Sequence, residues 1–126
     1  MHGSEDGFFK GRLRSFRYAF RGMWWLIRTE HSIMVQLFVA LLVCIAGVLV
    51  GLSVTEWVMQ IMAIALVLAA EGMNTAIEKL CDFVHPGRDE RIGRIKDISA
   101  GAVTFAALAA VFVGCLIYFP KLFQLF

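Results

Sequence analysis

Residues 57–84, WVMQIMAIALVLAAEGMNTAIEKLCDFV, decide how this chain is built. From Trp57 to Ala70 the stretch is apolar except for Gln60. That part alone is too short to cross hydrocarbon, which takes about 20 residues. From Glu71 onward one side turns polar while the other stays apolar, and no proline interrupts it before Pro86. One long helix over residues 55–83 is therefore predicted, half inside a bilayer and half emerging from it. Thr55 is the candidate cap at its start.

The flanks complete a three-span pattern. Residues 33–52 hold one strongly polar residue, Gln36, and have the length of a first span. Residues 85–94, HPGRDERIGR, form a charged loop broken by Pro86 and Gly87. Residues 95–119 form the third span, charged only at Lys96 and Asp97, with Pro120 expected to stop it. Lys121 and the aromatic tail anchor its far end.

Residues 8–29 read as an amphipathic helix. Phe9, Leu13, Phe16, Phe20, Trp24 and Ile27 recur at steps of four or three and share one face. Lys10, Arg14, Arg17, Arg21 and Arg28 form a second stripe beside it. Basic helices also bind nucleic acid or calmodulin-type partners, but beside three spans this one reads as lying in the membrane interface. No nucleic-acid partner is expected. Residues 1–6 form a polar, irregular start, and residues 1–32 lack the early apolar run of a signal peptide.

Composition agrees. Of 126 residues, 60% are hydrophobic and 17% charged, against about 25% charged in soluble domains. The fold class is thus all-α integral membrane, one domain over residues 1–126, with a surface helix and three transmembrane helices. Cys44, Cys81 and Cys115 are odd in number and lack CxxC spacing, which points to neither a disulfide framework nor a zinc site. His2, His31 and His85 lack partners at ligand spacing.

Basic residues orient the chain. Lys10, Arg12, Arg14, Arg17, Arg21 and Arg28 precede the first span, and Lys79, Arg88, Arg91, Arg94 and Lys96 surround the charged loop. The first turn has none, and the C-terminal end has Lys121 alone. The surface helix and charged loop are expected on the cytoplasmic side.

Carboxylates at membrane depth are expensive and mark function. Glu71, Asn74 and Glu78 stand at i, i+3 and i+7, which puts them on one helix face. Two carboxylates and an amide make an oxygen-rich surface suited to Mg²⁺ with phosphate oxygens and water. Glu30 sits at the entrance of the first span, Lys96 and Asp97 at the matching entrance of the third, and Asp82 continues the Glu78 side. Acids for a metal and a base, with cations for phosphate, are what phosphoryl transfer needs. Each has a plainer reading: Glu78 and Asp82 as solvated helix-end residues, Lys96 and Asp97 as anchor and cap, Glu30 as a boundary residue. Glu71, preceded by a full half-membrane of apolar residues, fits a plain reading least. There is no GxxxxGK[ST] loop and no kinase-type GxGxxG.

The segment EGMNTAIEKLCDFV, residues 71–84, followed by RIKDISAGAV, residues 94–103, resembles the prokaryotic diacylglycerol kinase family, gap included. The resemblance covers nearly the whole chain. It implies a homotrimer with active sites shared between chains, transferring the γ-phosphoryl group of MgATP to a membrane lipid alcohol in the bacterial cytoplasmic membrane. It implies Glu71 as general base and Glu30 and Glu78 as metal ligands. It gives Asn74 a supporting hydrogen bond and places Lys96 and Asp97 in the nucleotide region, with Asp82 a weaker member. Two features depart from the diacylglycerol-kinase branch: Gln36 where that branch has an acid, and the SAGAV motif. With the FPKL ending, they lean toward undecaprenol over diacylglycerol as substrate.

A competing reading is an oligomeric channel or cation transporter, since intramembrane carboxylates also mark ion paths. It expects polar residues along a whole helix face, and the outer halves of these spans are nearly bare of them. Gly101, Ala102, Ala106, Ala109 and Ala110 are expected to form the packing surface between copies.

Overall fold

The computed structural model describes residues 5–126, which form four helices: α1 (Glu5–Thr29), α2 (His31–Val50), α3 (Val54–Val84) and α4 (Glu90–Leu125). Glu5 and Asp6 lie within α1; the rest of the expected irregular start, with His2, lies outside the described residues. No strand occurs among the described residues. The last three helices are each long and apolar enough to cross a membrane.

The main contact is α3 against α4; α2 packs more lightly on α3, and α1 touches the bundle near the α1–α2 corner. The buried set is small: Ile33, Val67, Cys81, Ala106 and Ile117, with Gly47 and the polar Gln60, Thr75 and Ser99. Side chains such as Phe38, Leu49, Phe105 and Phe112 stand exposed on the spans. For a membrane protein this is the expected inversion, because lipid is as apolar as the side chains facing it.

Local signals fix the corners. Gly51 ends α2 at φ 75, and its N–H and that of Leu52 both bond to the Gly47 carbonyl. This left-handed cap suits a residue without a Cβ. Gly47 also needs to be small: a Cβ there would lie 2.9 Å from both Leu52 Cδ1 and Trp57 Cη2. The cap of α3 is Ser53, not Thr55. Ser53 Oγ accepts from the Glu56 N–H while Glu56 accepts from the Ser53 N–H, a reciprocal box that satisfies two orphan donors.

The third span departs from expectation at both ends. Asp89 caps α4, accepting the Arg91 N–H at 2.8 Å, so the helix starts at Glu90 and carries Arg91 and Arg94 as helical residues. Hydrogen bonds from the Arg91 side chain and then its backbone hold the Asp89 carboxyl below its ordinary pKa. At the other end Pro120 lies inside α4 and does not stop it. A proline here forfeits one backbone hydrogen bond, a loss that neighbouring groups can offset in a transmembrane helix. Continuing the helix carries Lys121 to within 3.2 Å of Glu56 on α3. One turn earlier, Tyr118 OH meets the Val43 carbonyl of α2 and Gln60 Oε1 of α3. A polar clamp thus ties all three spans together away from the charged loop.

Ala106 is buried within the chain, so it is not available to a neighbouring copy. Ala102 and Ala109 of the same expected surface remain exposed.

Candidate active site

The α1–α2 corner and the α3–α4 loop occupy the end of the bundle where the charged residues gather. The corner is one residue wide. Glu30 breaks the helix with an extended backbone (φ −96, ψ 113) and caps α2 without a side-chain hydrogen bond. Its carboxylate is therefore free of its own backbone. It reaches toward α3, where Lys79 Nζ lies 3.8 Å from Oε1. The Lys79 ammonium also sits 5.0 Å from the centre of the Trp25 ring on α1, a cation–π distance. Further along the same α3 face, a Cβ on Gly72 would come within 3.2 Å of Leu26 Cδ1. Gly72 and Lys79, seven residues apart, together seat the end of α1 on α3.

The acidic stripe lies on a neighbouring face of α3. Asn74 Nδ2 donates to Glu78 Oε1 at 3.1 Å. That bond turns Asn74 Oδ1 the other way, where it is buried and has no partner. An unpartnered buried oxygen costs stability unless something uses it. Glu71 is partly exposed, and its side chain makes no hydrogen bond or ion pair among the described residues. Its carbonyl accepts from Thr75 Oγ1 at 3.1 Å, so Thr75 is turned back on the helix and leaves the Glu71 carboxylate unoccupied.

Across the seam, Lys96 of α4 meets Asp82 of α3, Nζ to Oδ1 at 2.6 Å. Sequence reading singled out both without pairing them. Asp97 is exposed and has no side-chain partner among the described residues. The structure therefore brings together Asn74 with Glu78 and Lys96 with Asp82, sets Glu30 against Lys79, and leaves Glu71 and Asp97 unpaired. The sequence reading has Lys79 only as an orienting basic residue, and Trp25 not at all, so their joint contact with Glu30 goes unread. Lys79 follows directly on Glu78, and its position one heptad from Gly72 was the available signal.

The donor set fits magnesium of one particular kind. Glu30, Glu78 and Asn74 Oδ1 offer hard oxygens, but no group of three or more His, Cys, Asp or Glu converges on a metal position among the described residues. Such a set suits a cation that brings phosphate oxygens and water with it, as Mg²⁺ does in nucleotide sites.

Between α2, α3 and α4 lies a crevice of about 380 Å³, walled largely by Val, Ala, Ile and Leu, with Gln36, Gln60 and Tyr118 as its polar residues. Gln60 and Tyr118 spend their polar groups on each other, on the Val43 carbonyl and on Cys44 Sγ. The crevice is not a continuous polar path, so the ion-path reading gains no support from it.

Comparison with known proteins agrees with the motifs. The model of the family described as prokaryotic diacylglycerol kinase matches residues 17–118. An undecaprenol kinase of Bacillus subtilis is 37% identical over 109 residues, covering 86% of this chain and 89% of the relative. A diacylglycerol kinase of Synechocystis is 33% identical, over 90% of this chain and 65% of the relative. One from Haemophilus influenzae is 28% identical, over 79% of this chain and 83% of the relative.

Proposed function

Because this chain belongs to the prokaryotic diacylglycerol kinase family and is a lipid kinase of the membrane, we propose that it transfers the γ-phosphoryl group of MgATP to the hydroxyl of undecaprenol. The observation that carries the reading is the α3 stripe: a free Glu71 carboxylate on the same face as the Asn74–Glu78 pair, in which the amide oxygen of Asn74 is buried and unpartnered.

Bound MgATP supplies the activated phosphoryl group and the charge that offsets its oxygens. The chain's own residues do the rest. Glu71, at the depth where apolar sequence gives way to polar, accepts the proton of the lipid hydroxyl as its oxygen bonds the γ-phosphorus and the bond from that phosphorus to the bridging oxygen breaks, releasing ADP. Glu30 and Glu78 hold the metal side of the nucleotide, and Asn74 fixes the Glu78 carboxylate through its amide N–H. Lys96 neutralises phosphate charge, with Asp97 beside it in the nucleotide region. Positioning and charge stabilisation of this kind supply most of the catalysis in phosphoryl transfer.

The basic residues around α1 and the α3–α4 loop support a cytoplasmic site, within reach of soluble nucleotide. The homotrimer with shared sites belongs to the same proposal. The lack of a complete metal group within one chain among the described residues supports it. Undecaprenol is favoured over diacylglycerol by Gln36 and the SAGAV motif of residues 99–103, and by the higher identity to the Bacillus undecaprenol kinase than to the two diacylglycerol kinases.

The test is phosphate transfer from labelled ATP with Mg²⁺, in mixed micelles that offer undecaprenol and diacylglycerol in parallel. Labelled undecaprenyl phosphate in large excess is expected. Preferential labelling of diacylglycerol would overturn the substrate assignment, and labelling of neither lipid by folded, oligomeric protein would overturn both.

A further inference from the structure

We infer that Lys79, the residue after Glu78, is a positioning residue that holds the Glu30 carboxylate against α3 before any nucleotide arrives. This deepens the proposed function and rests on its placing of Glu30 and Glu78 on the metal side of the site.

The need arises at the corner. Glu30 is the single residue between α1 and α2, and no cap hydrogen bond ties its side chain to the backbone it interrupts. Nothing local decides where the carboxylate points. Its one ion-pair partner among the described residues is Lys79, at 3.8 Å. Glu30 is the more enclosed of the two, with a side chain 24% exposed against 56% for Lys79. Lys79 is itself held, its ammonium 5.0 Å from the centre of the Trp25 ring. Trp25 and Leu26 belong to the last turns of α1, and Leu26 rests against Gly72 on the same α3 face. The seat of α1 on α3 therefore ends in a cation, and Glu30 closes on that cation.

Electrostatics gives the contact a purpose. Two carboxylates brought near one metal position repel each other while the position is empty, and a cation set between their helices offsets that repulsion. The contact is too long for a hydrogen bond and too exposed to act as a lock. It aims Glu30 and still leaves it free to turn to an incoming cation. Lys79 touches neither phosphate nor lipid in this role.

The test uses the full chain in detergent–lipid micelles as wild type, Lys79→Met, Lys79→Arg, Glu30→Gln and the Lys79→Met/Glu30→Gln pair. The first readout needs neither metal nor nucleotide: amide hydrogen exchange of the peptide covering residues 26–34. Lys79→Met and Glu30→Gln should each speed exchange at the corner, the pair no more than either alone, and Lys79→Arg should match wild type. The second readout is phosphate transfer, in which Lys79→Met should raise the KM for MgATP roughly two- to fivefold, the size of an exposed ion pair, with kcat nearly unchanged. Lys79→Arg should restore it. Unchanged exchange in Lys79→Met, additive effects in the pair, or a fall in kcat without a rise in KM would each overturn the inference. Absence of transfer by the wild type would overturn the kinase reading instead, while the exchange pattern would still decide the Lys79–Glu30 contact.

Discussion

Lys96 Nζ lies 2.6 Å from Asp82 Oδ1, and this contact sets the cation of α4 level with the end of the acidic stripe on α3. The two residues are the facing members of the α3–α4 seam at the loop end. A lysine held this way is aimed but only partly neutralised, because the Asp82 side chain is 65% exposed.

Removing the cation should therefore hurt more than removing its partner. Lys96→Met is expected to lower kcat on the order of a hundredfold, the scale of losing one preorganised charge at a transition state. Asp82→Asn should lose less, because the ammonium remains. Both proteins should keep near-normal thermal stability, since exposed ion pairs contribute little. Steady-state phosphate transfer and thermal unfolding in detergent check this; an Asp82→Asn loss equal to that of Lys96→Met would contradict it.

Metal dependence should track the carboxylates. Chelating Mg²⁺ is expected to stop transfer. Glu30→Gln and Glu78→Gln should each raise the Mg²⁺ concentration for half-maximal activity by at least the roughly 10–100-fold that disturbing a ligand's support costs. A magnesium titration of each variant decides it, and unchanged midpoints would remove these residues from the metal side.

The polar clamp at the opposite end should serve stability alone. Tyr118→Phe leaves Gln60 and the Val43 carbonyl without their shared hydroxyl. A loss of about 1 kcal/mol is expected, typical of a buried interhelical hydrogen bond, with kcat within error of wild type. Chemical or thermal unfolding beside an activity assay measures both; a large drop in kcat would mean the two ends are coupled.

The α2–α3 turn offers a sharper stability test. Gly51→Ala must place a Cβ residue at φ 75, which costs about 1–2 kcal/mol. Gly47→Ala must push aside Leu52 and Trp57, each 2.9 Å from the new Cβ, at a cost of about 1 kcal/mol or more. If Gly47→Ala unfolds no sooner than wild type, the close approach of the two helices is wrong.

Much of this was written in the sequence, and the residues show where the writing stops. Glu71, Asn74 and Glu78 were legible because helical spacing fixes their common face whatever else the chain does. Three spans are legible because hydrocarbon thickness sets the length: two apolar runs reach it, and the helical pattern continuing past Glu71 extends the third. The capping box is present as Ser53 with Glu56 three residues on, while the sequence reading places Ser53 in the turn and the cap at Thr55. Pro120 reads as a stop because a proline breaks local hydrogen bonding. The pull of Glu56 on Lys121 and the anchoring of Tyr118 come from other helices, and no local rule shows them. For the same reason the sequence shows Lys79 as an orienting basic residue and not as the partner of Glu30. Its role depends on Trp25 and Glu30, which reach it only after α1 folds back on α3.

The most direct test of the whole is single-turnover phosphate transfer to a lipid alcohol by the wild type and Glu71→Gln, run with MgATP binding and oligomeric state measured on the same samples. Glu71→Gln is expected to bind MgATP and assemble as the wild type does while losing about 10²–10⁴-fold in the transfer step, the range a positioned general base supplies. Near-normal transfer by Glu71→Gln would contradict the assignment of the base, and with it the reading of the α3 stripe as the place where phosphate meets lipid.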